Sequence, residues 1–275
     1  MAVSTDPVEV AAQLVAARFP SAHAAFLGGS APTARRTRWS DLDVVVVLDG
    51  PPAPFRETTR HSGQLVEWFV QTPESLRHYW RLDASRRRTP LLRMVAEGVP
   101  LVLPQPGDEP DPLLPGVSRS ASRTGAGPQS PTALAEIYQA EAVALLAAGP
   151  PDPGAAAVDY QRYLVTDLLD DLRGATDPVE VAYLAATIVL SASDLLLLAE
   201  NRWSARGKWL PRRLAEVDPG LPGRLVEGHR AVLTGDDREL LLAAVRAVLD
   251  HTGGPLQEGF RVAGTVPALP IPHSQ

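Results

Sequence analysis

The sequence has 275 residues, of which 45% are hydrophobic and 21% charged, and these values are typical of one large or two ordinary globular domains. It contains no cysteine, which excludes disulfides, thiolate zinc sites, iron–sulfur clusters and cysteine nucleophiles. The net charge of −6 disfavours a nucleic-acid partner.

The longest apolar run and the N-terminal segment both bear on the location of the protein. Ser191, Ser193 and Asp194 interrupt the apolar run, so no unbroken stretch of about 18 apolar residues is available to span a membrane. Asp6 and Glu9 add charge where a secretory signal would be apolar. We therefore predict a cytoplasmic protein with no membrane partner.

The first 115 residues alternate between predicted strands and helices. Apolar, β-branched runs bounded by turn residues indicate strands, whereas apolar residues at helical spacing after a capping residue or a proline indicate helices. In chain order they are a helix over 7–18, strands over 23–30, 41–48 and 63–71, helices from 72 and over 89–98, and a short strand over 99–104. This alternation predicts a sheet domain over 1–115.

The composition changes after residue 115. A stretch rich in Gly, Ser and Pro over 116–131 is typical of a linker. From 132 to 252 the chain is rich in Ala and Leu at helical spacing, which predicts a helical bundle. A Pro/Gly-rich tail over 253–275 completes the chain.

Three acids in the first domain point to a metal site. Asp41 and Asp43 are two residues apart on a predicted strand, so both side chains leave from one face and repel each other unless a cation neutralises them. Glu67 lies within another predicted strand and can bring a third carboxylate to the same place. Hard oxygen ligands suit Mg²⁺, and this set is the arrangement of a two-metal phosphoryl or nucleotidyl transfer site.

A glycine turn next to these acids suits a polyphosphate. Gly28 and Gly29 allow backbone N–H groups to approach phosphates closely, and a helix N-terminus after Ser30 would add positive potential. The hydroxyls of Ser30 and Ser40 can donate to phosphate oxygens. The connection between the two serines carries three basic residues that either pair with phosphate or stay solvated: Arg35, Arg36 and Arg38.

Lysine usage singles out one further residue. Of the 26 basic residues, only Lys208 is a lysine and the rest are arginines. Either Lys208 is the last lysine left in an arginine-rich background, or a compact and flexible ammonium is needed at this position.

These motifs resemble those of a known superfamily. Gly-Gly-Ser at 28–30, Ser-Asp-x-Asp at 40–43 and a later strand acid at 67 resemble the nucleotidyltransferases that include DNA polymerase β and the antibiotic nucleotidyltransferases. With a helical domain following, the chain resembles most the streptomycin/spectinomycin adenylyltransferase type of the aminoglycoside and lincosamide enzymes. The resemblance implies an α+β fold, with an N-terminal mixed-sheet domain followed by a C-terminal helical bundle over 132–252 that binds substrate.

The resemblance also implies roles for individual residues. Asp41 and Asp43 match the metal ligands, and Glu67 matches the third acid, which also serves as general base in the adenylyltransferase type. Ser30 and Ser40 match the serines that hold the nucleotide's phosphates. In that type a lysine of the helical domain reaches the triphosphate, and the sequence around position 208 resembles its surroundings.

One residue departs from the family pattern. Asp194 stands near the position where the family's helical domain offers a phosphate-binding arginine, so contacts with the triphosphate must differ there. Asp194 also interrupts an apolar helix, and a buried carboxylate needs a partner. Either an arginine of the helical bundle, such as Arg162, is this partner, or Asp194 has a role in binding the acceptor.

The acceptor is indicated less directly. Four polar residues follow one face of a predicted helix at steps of three and four: Tyr163, Asp167, Asp170 and Asp171. Such an acidic stripe either binds a polycationic acceptor, such as an aminoglycoside, or is simply a solvated face.

The sequence therefore predicts a metal-dependent nucleotidyltransferase with two Mg²⁺ ions as cofactors. It would transfer a nucleoside monophosphate, AMP from ATP being the first choice, to a hydroxyl of a small molecule such as an aminoglycoside-like antibiotic and release pyrophosphate. Two alternatives stay open: a protein- or tRNA-modifying enzyme of toxin–antitoxin type, and a catalytically silent nucleotide-binding regulator. The nucleotide base and the oligomeric state are left undetermined.

Overall fold

Strands that pair in both directions form a five-stranded sheet in the first of two units. The computed structural model describes residues 6–103, 131–235 and 237–263, and the chain divides into its two units between Pro151 and Asp152. The strand order is β3-β4-β2-β1-β5, in which β2 and β4 are parallel and the other pairs antiparallel. The strands are β1 (Ala24–Gly28), β2 (Leu42–Val47), β3 (Phe55–His61), β4 (Gln64–Gln71) and β5 (Val99–Pro100).

Strand β3 is absent from the elements that the sequence predicted. It lies at the edge of the sheet, and most of its residues are exposed or half-buried because only β4 pairs with it. Its residues are therefore mostly polar on both faces of the strand, so the sequence lacks the apolar and polar alternation that indicates a half-buried strand. The turn to β4 does carry a signal, because Ser62 and Gly63 have φ values of 49° and 86°, as a two-residue hairpin turn requires.

Helices cover both faces of the sheet. One face packs on α1, with Ala11 and Val15 against Val44 and Val46 of β2. The other face packs on α2, α3 and α4, and its core includes Phe26, Val45 and Trp80. The alternate residues of one strand thus enter two separate cores. The four helices are α1 (Pro7–Arg18), α2 (Pro73–Ser85), α3 (Pro90–Ala96) and α4 (Pro131–Ala148).

Helix α4 belongs to the first unit, whereas the sequence placed residues 132–148 in the second domain. Its buried residues Ala135, Tyr138 and Ala142 pack in the same core as β1 and β2. Gln139 also donates to the carbonyl of Gly98 at 2.8 Å. Composition and periodicity describe what one helix buries, but they do not identify the surface that it packs on.

The second unit is helical. Its core is built by apolar residues from α5, α6, α8 and α9, with Leu169, Ile188, Leu225 and Val245 among those that are almost fully buried. The helices are α5 (Ala155–Gly174), α6 (Pro178–Ala199), α7 (Leu210–Ala215), α8 (Leu221–Gly235) and α9 (Glu239–His251).

Helix α6 is the most apolar element of the second unit. By length and composition it passes as a membrane span, with a mean hydropathy of 2.0. Eight of its residues are buried, however, and all of these except Ser193 form part of the helical core. Packing between helices therefore accounts for part of the apolar run, of which 44% is buried.

The observed architecture is α+β, as the sequence predicted, with a mixed sheet followed by helices. The linker predicted over 116–131 lies outside the described residues except for its last one, which begins α4. Of the tail predicted over 253–275, only residues 253–263 are described, and they are called here the C-terminal segment.

Candidate active site

The three predicted acids lie together at one end of the sheet. Asp43 of β2 is directly opposite Glu67 of the parallel strand β4. Asp41 precedes Asp43 by two residues and therefore projects from the same face. One carboxylate oxygen of each side chain lies within 4.8 Å of the other two, and all three residues are half-buried. Strand register thus holds the three carboxylates together.

Gly29 allows the turn after β1 to pass against one of these carboxylates. Its φ is 68°, in the left-handed region that favours glycine. A Cβ on Gly29 would lie 1.9 Å from Oδ2 of Asp43, which is far inside van der Waals contact. Gly28 ends β1 opposite Asp43 and packs against Met94 of α3. The glycine turn and the acids therefore form one site.

Ser30 and Ser40 close the base of the connection between β1 and Asp41. Their Oγ atoms are 3.0 Å apart and both residues are buried. The backbone N–H of Thr37 donates to Ser40 Oγ at 3.0 Å, and Gln64 of β4 donates to the carbonyl of Ser40 at 2.7 Å. The two serines thus lie beside the acids, while their contact with phosphates stays a prediction.

Residues 31–39, called here the basic loop, are not helical, although the sequence suggested a helix N-terminus after Ser30. Turns follow instead, because side chains compete for the backbone: Thr33 Oγ1 donates to the carbonyl of Ser30, and the N–H of Arg35 donates to Thr33 Oγ1. Positive potential at the turn therefore comes from side chains. The loop exposes three arginines and contains no acid: Arg35, Arg36 and Arg38.

Arg56 is a site residue that the sequence analysis missed. Its Nη2 atom donates to Oε2 of Glu67 at 2.7 Å, and its guanidinium lies 4.7 Å from the ring centroid of Phe69. The side chain is 62% exposed, so solvent reaches the pair from one side. The available signal was the Ser62-Gly63 turn, which predicts a strand before β4 and places position 56 on the face of Glu67.

The donor set fits a divalent cation. Three carboxylates contribute only oxygen ligands, and hard cations such as Mg²⁺ prefer these. Their mutual separation of at most 4.8 Å allows oxygens from different residues to share one ion, and Arg56 pairs with Glu67 at the edge of this group. Within the described residues, no other group of three His, Asp or Glu side chains has this arrangement.

Lys208 belongs to the second unit. It lies in a short 3₁₀ turn, Gly207–Trp209, and its side chain is exposed. An exposed ammonium on a turn is free of the desolvation cost that would accompany burial. Its predicted contact with a triphosphate stays a prediction.

Asp194 has a different partner from the one expected. Ser204 Oγ donates to its carboxylate at 2.6 Å, so a hydroxyl from the segment after α6 satisfies the charge. Arg162 instead donates to the backbone carbonyls of Gly253 and Gly254. The prediction of an Asp194–Arg162 pair was therefore wrong, because unpaired carbonyls of the C-terminal segment take the guanidinium.

The predicted acceptor stripe on α5 is partly covered by the chain itself. The ring of Phe260 stacks on Tyr163, with centroids 4.3 Å apart and planes 8° from parallel. Gln257 donates to Oδ2 of Asp170 at 2.8 Å, and Arg173 pairs with the other oxygen of Asp170. The C-terminal segment therefore contacts two of the four residues to which the sequence assigned acceptor binding.

The remaining two residues of the stripe, Asp167 and Asp171, are exposed. An exposed acidic face on a helix is well solvated without any ligand. A role for this stripe in binding a polycationic acceptor stays a prediction.

One buried acid lies outside the site. Burial raises the pKa of Asp83, on α2, to about 6, although the backbone N–H of Leu91 donates to its carboxylate. Within the described residues, its Oδ2 atom is buried and has no hydrogen-bond partner. Since Leu91 lies in the first turn of α3, Asp83 satisfies an N–H group that the helix itself leaves open.

Comparison with known proteins gives likenesses in structure but none in sequence. No protein-family model matches the sequence, and no curated protein matches it. The chain is similar in structure to a nucleotidyltransferase-like protein from Exiguobacterium sibiricum 255-15, with a TM-score of 0.42 and 12% identity. The likeness covers 88% of this chain and 74% of that protein's chain.

Proposed function

We propose that the protein is a metal-dependent nucleotidyltransferase that transfers a nucleoside monophosphate to a hydroxyl group of a small molecule. One observation carries the proposal: carboxylate oxygens of Asp41, Asp43 and Glu67 lie within 4.8 Å of one another. They lie beside a glycine turn in which any side chain at position 29 would collide with Asp43. This arrangement agrees with the superfamily that the motifs resemble.

Each part of the site has a place in the reaction. A divalent cation held by the three carboxylates would neutralise the phosphates and polarise the reacting phosphoryl group. The backbone of the glycine turn and the hydroxyls of Ser30 and Ser40 would bind the phosphates. The acceptor hydroxyl gives up its proton, with Glu67 as the proposed base, and its oxygen forms a bond to the α-phosphorus. The bond from that phosphorus to the bridging oxygen breaks, and pyrophosphate leaves with the electron pair.

The finer assignments are part of the proposal. ATP is the proposed donor and AMP the transferred group, because the motifs resemble those of adenylyltransferases. An aminoglycoside-like antibiotic is the acceptor that this resemblance and the exposed acids of α5 suggest. Two alternatives make different predictions: a silent regulator would bind nucleotide without releasing pyrophosphate, and a toxin-type enzyme would label protein or tRNA.

The test is transfer by the purified protein from each of ATP, GTP, CTP and UTP, labelled at the α-phosphate. The acceptor arms are an aminoglycoside and lincosamide panel, tRNA, protein and water alone. We expect pyrophosphate release that needs Mg²⁺ and is lost in EDTA, with a product heavier by one nucleoside monophosphate. In Asp43→Asn the rate should fall about 10³-fold, since one metal ligand is removed.

Glu57→Gln is the matched control. It likewise removes one carboxylate charge from the sheet, but Glu57 pairs with Arg18 on the face opposite the site. It should leave the rate within a factor of two of the wild type. No pyrophosphate release from any of the four nucleotides, in any acceptor arm, would overturn the proposal.

A further inference from the structure

The site has a definite lateral order across the sheet. From β1 towards the edge strand, the same face presents the glycine turn, then Asp43 of β2, then Glu67 of β4 and finally Arg56 of β3. The order follows from register, because Gly28 is opposite Asp43, and Asp43 is opposite Glu67. If the glycine turn binds the nucleotide, its phosphates and Arg56 therefore lie on opposite sides of the acids.

This order defines the side from which the acceptor arrives. The attacking oxygen and the leaving pyrophosphate must lie roughly in line at the α-phosphorus. If the glycine turn binds the leaving phosphates, the acceptor enters from the side of Glu67 and β3. This step rests on the proposed function. Arg56 is then the charged side chain beside which the acceptor hydroxyl is placed.

Arg56 is held in place and still accessible. Glu67 accepts one of its hydrogen bonds, and Phe69 supports the guanidinium plane at 4.7 Å from the ring centroid. The side chain remains 62% exposed, and a guanidinium has five N–H donors. Donors beyond the one given to Glu67 can therefore meet an anion without a rearrangement of the strand.

The surrounding charge favours an anion as well. On β3, Arg56, Thr58 and Arg60 share the face of the site because they lie opposite Phe69, Glu67 and Leu65 of β4, and none of the three is acidic. A polycation next to this rim would meet like charge, which costs affinity and is not offset once the acids ligate metal.

From this arrangement we infer that the acceptor is a small anionic molecule, in place of the polycationic aminoglycoside that the resemblance suggests. Its phosphate or carboxylate pairs with Arg56 while a neighbouring hydroxyl is presented to the α-phosphorus. A long polyanion is disfavoured, because the chain as a whole carries a net charge of −6. Arg56 is thus a residue that determines which acceptors bind.

The inference is tested by binding to the loaded protein. The protein is saturated with Mg²⁺ and a non-hydrolysable analogue of the nucleotide that it uses, and acceptor probes are titrated by calorimetry. Matched probes differ only in charge: glycerol against glycerol 3-phosphate, and glucose against glucose 6-phosphate. Kanamycin is the cationic arm and a short RNA oligonucleotide is the polyanionic arm.

We expect the phosphorylated probe of each pair to bind at least tenfold more tightly than its neutral counterpart. Arg56→Gln should remove this preference, and Arg56→Lys should retain part of it because the charge is kept. Arg18→Gln is the matched control, since Arg18 also pairs with a hairpin glutamate and lies 5.2 Å from an aromatic ring centroid, but on the opposite face. It should keep the full preference.

The ratio between charged and neutral probes separates the two roles of Arg56. If Arg56 only positions Glu67, Arg56→Gln should lower the rate of transfer to water and to every acceptor alike and leave the ratio of binding constants unchanged. If Arg56 binds the anion, the variant should change that ratio. An unchanged ratio in Arg56→Gln would overturn the inference. So would tighter binding of kanamycin or RNA, or no binding of either phosphorylated probe at millimolar concentration. None of these results would affect pyrophosphate release, on which the proposed function depends.

Discussion

The acids of the two units are arranged in opposite ways. In the first unit, Asp41, Asp43 and Glu67 bring oxygens within 4.8 Å of one another, and Arg56 donates to Glu67. In the second unit the acids of α5 follow a helix face, where neighbours at three or four residues have their Cβ atoms about 5–6 Å apart. There Asp170 is paired with Arg173 and Gln257.

The difference comes from the elements that carry the acids. Paired strands place opposite side chains close together and fix them by register, so like charges can be forced to converge. A helix spreads its side chains outwards, and mobile neighbours neutralise them singly. Convergence of like charge therefore indicates a cation site, whereas a stripe of acids does not by itself.

The largest expected effect comes from exchanging one acid in each set. Asp43→Asn should reduce transfer about 10³-fold and abolish the rise in melting temperature that we expect Mg²⁺ to cause in the wild type. Asp171→Asn on α5 should retain that rise in full. The measurement is the melting temperature with and without about 5 mM MgCl₂. An equal loss in both variants would contradict the contrast between the two sets.

A smaller effect is expected when the carboxylates are displaced rather than removed. Gly29→Ala puts a methyl group where Asp43 Oδ2 now lies, at 1.9 Å, and should slow transfer about 10²-fold. Gly63→Ala is the control, since its φ of 86° imposes the same backbone strain but no atom lies within 4 Å of the added Cβ. Steady-state rates and melting temperatures separate the two causes. Equal rates in both variants would mean that strain, not displacement, is responsible.

Asp83 extends the comparison to a half-buried acid outside the site, where burial outweighs the nearby positive charge of Arg86. Its pKa is about 6 in the folded chain and 3.8 in a model compound, so the folded chain binds the proton more tightly than the unfolded chain. The free energy of unfolding should therefore fall as the pH rises from about 4 to about 6, and stay lower above that range. Asp83→Asn should flatten the pH dependence of the free energy of unfolding in this range and raise the melting temperature at neutral pH.

The profile is measured as melting temperature against pH in the absence of divalent cations, which keeps the site acids from contributing through metal binding. A wild-type stability that rises between pH 4 and 6, with the same slope in Asp83→Asn, would assign the dependence to other carboxyls.

The smallest expected effect concerns the cover on α5. Phe260→Ala removes the ring that stacks on Tyr163 and should lower the free energy of unfolding by about 1 kcal/mol. Phe260→Leu should lose most of the aromatic contribution and retain part of the apolar one. Val262→Ala, at an exposed neighbouring position, should change stability by less than about 0.5 kcal/mol. Denaturant titration resolves these differences.

The convergence of the acids could be predicted from sequence because it depends on local rules. A β-branched run after Asp41 indicates a buried strand, and the period of two places Asp41 and Asp43 on one face. The sequence also separated a sheet region from a helical region, because strand and helix periods differ.

The features that the sequence did not reveal depend on contacts far apart in the chain. Arg56 reaches Glu67 only because an edge strand with a weak pattern pairs with β4. Helix α4 joins the sheet through packing that its own composition does not specify. The pairing of Arg162 with the C-terminal segment connects residues about 90 positions apart, beyond the range of any local rule.

The hydrogen bond between Ser30 and Ser40 has a consequence for how such a site can diversify. Because a hydrogen bond joins its two ends, the segment can change its residues or its length at little cost in free energy to strands β1 and β2, which it connects. Positions 31–39 can therefore vary without disturbing the acids at the base of the segment, and this stretch is a suitable place for insertions or exchanges in an engineered chain.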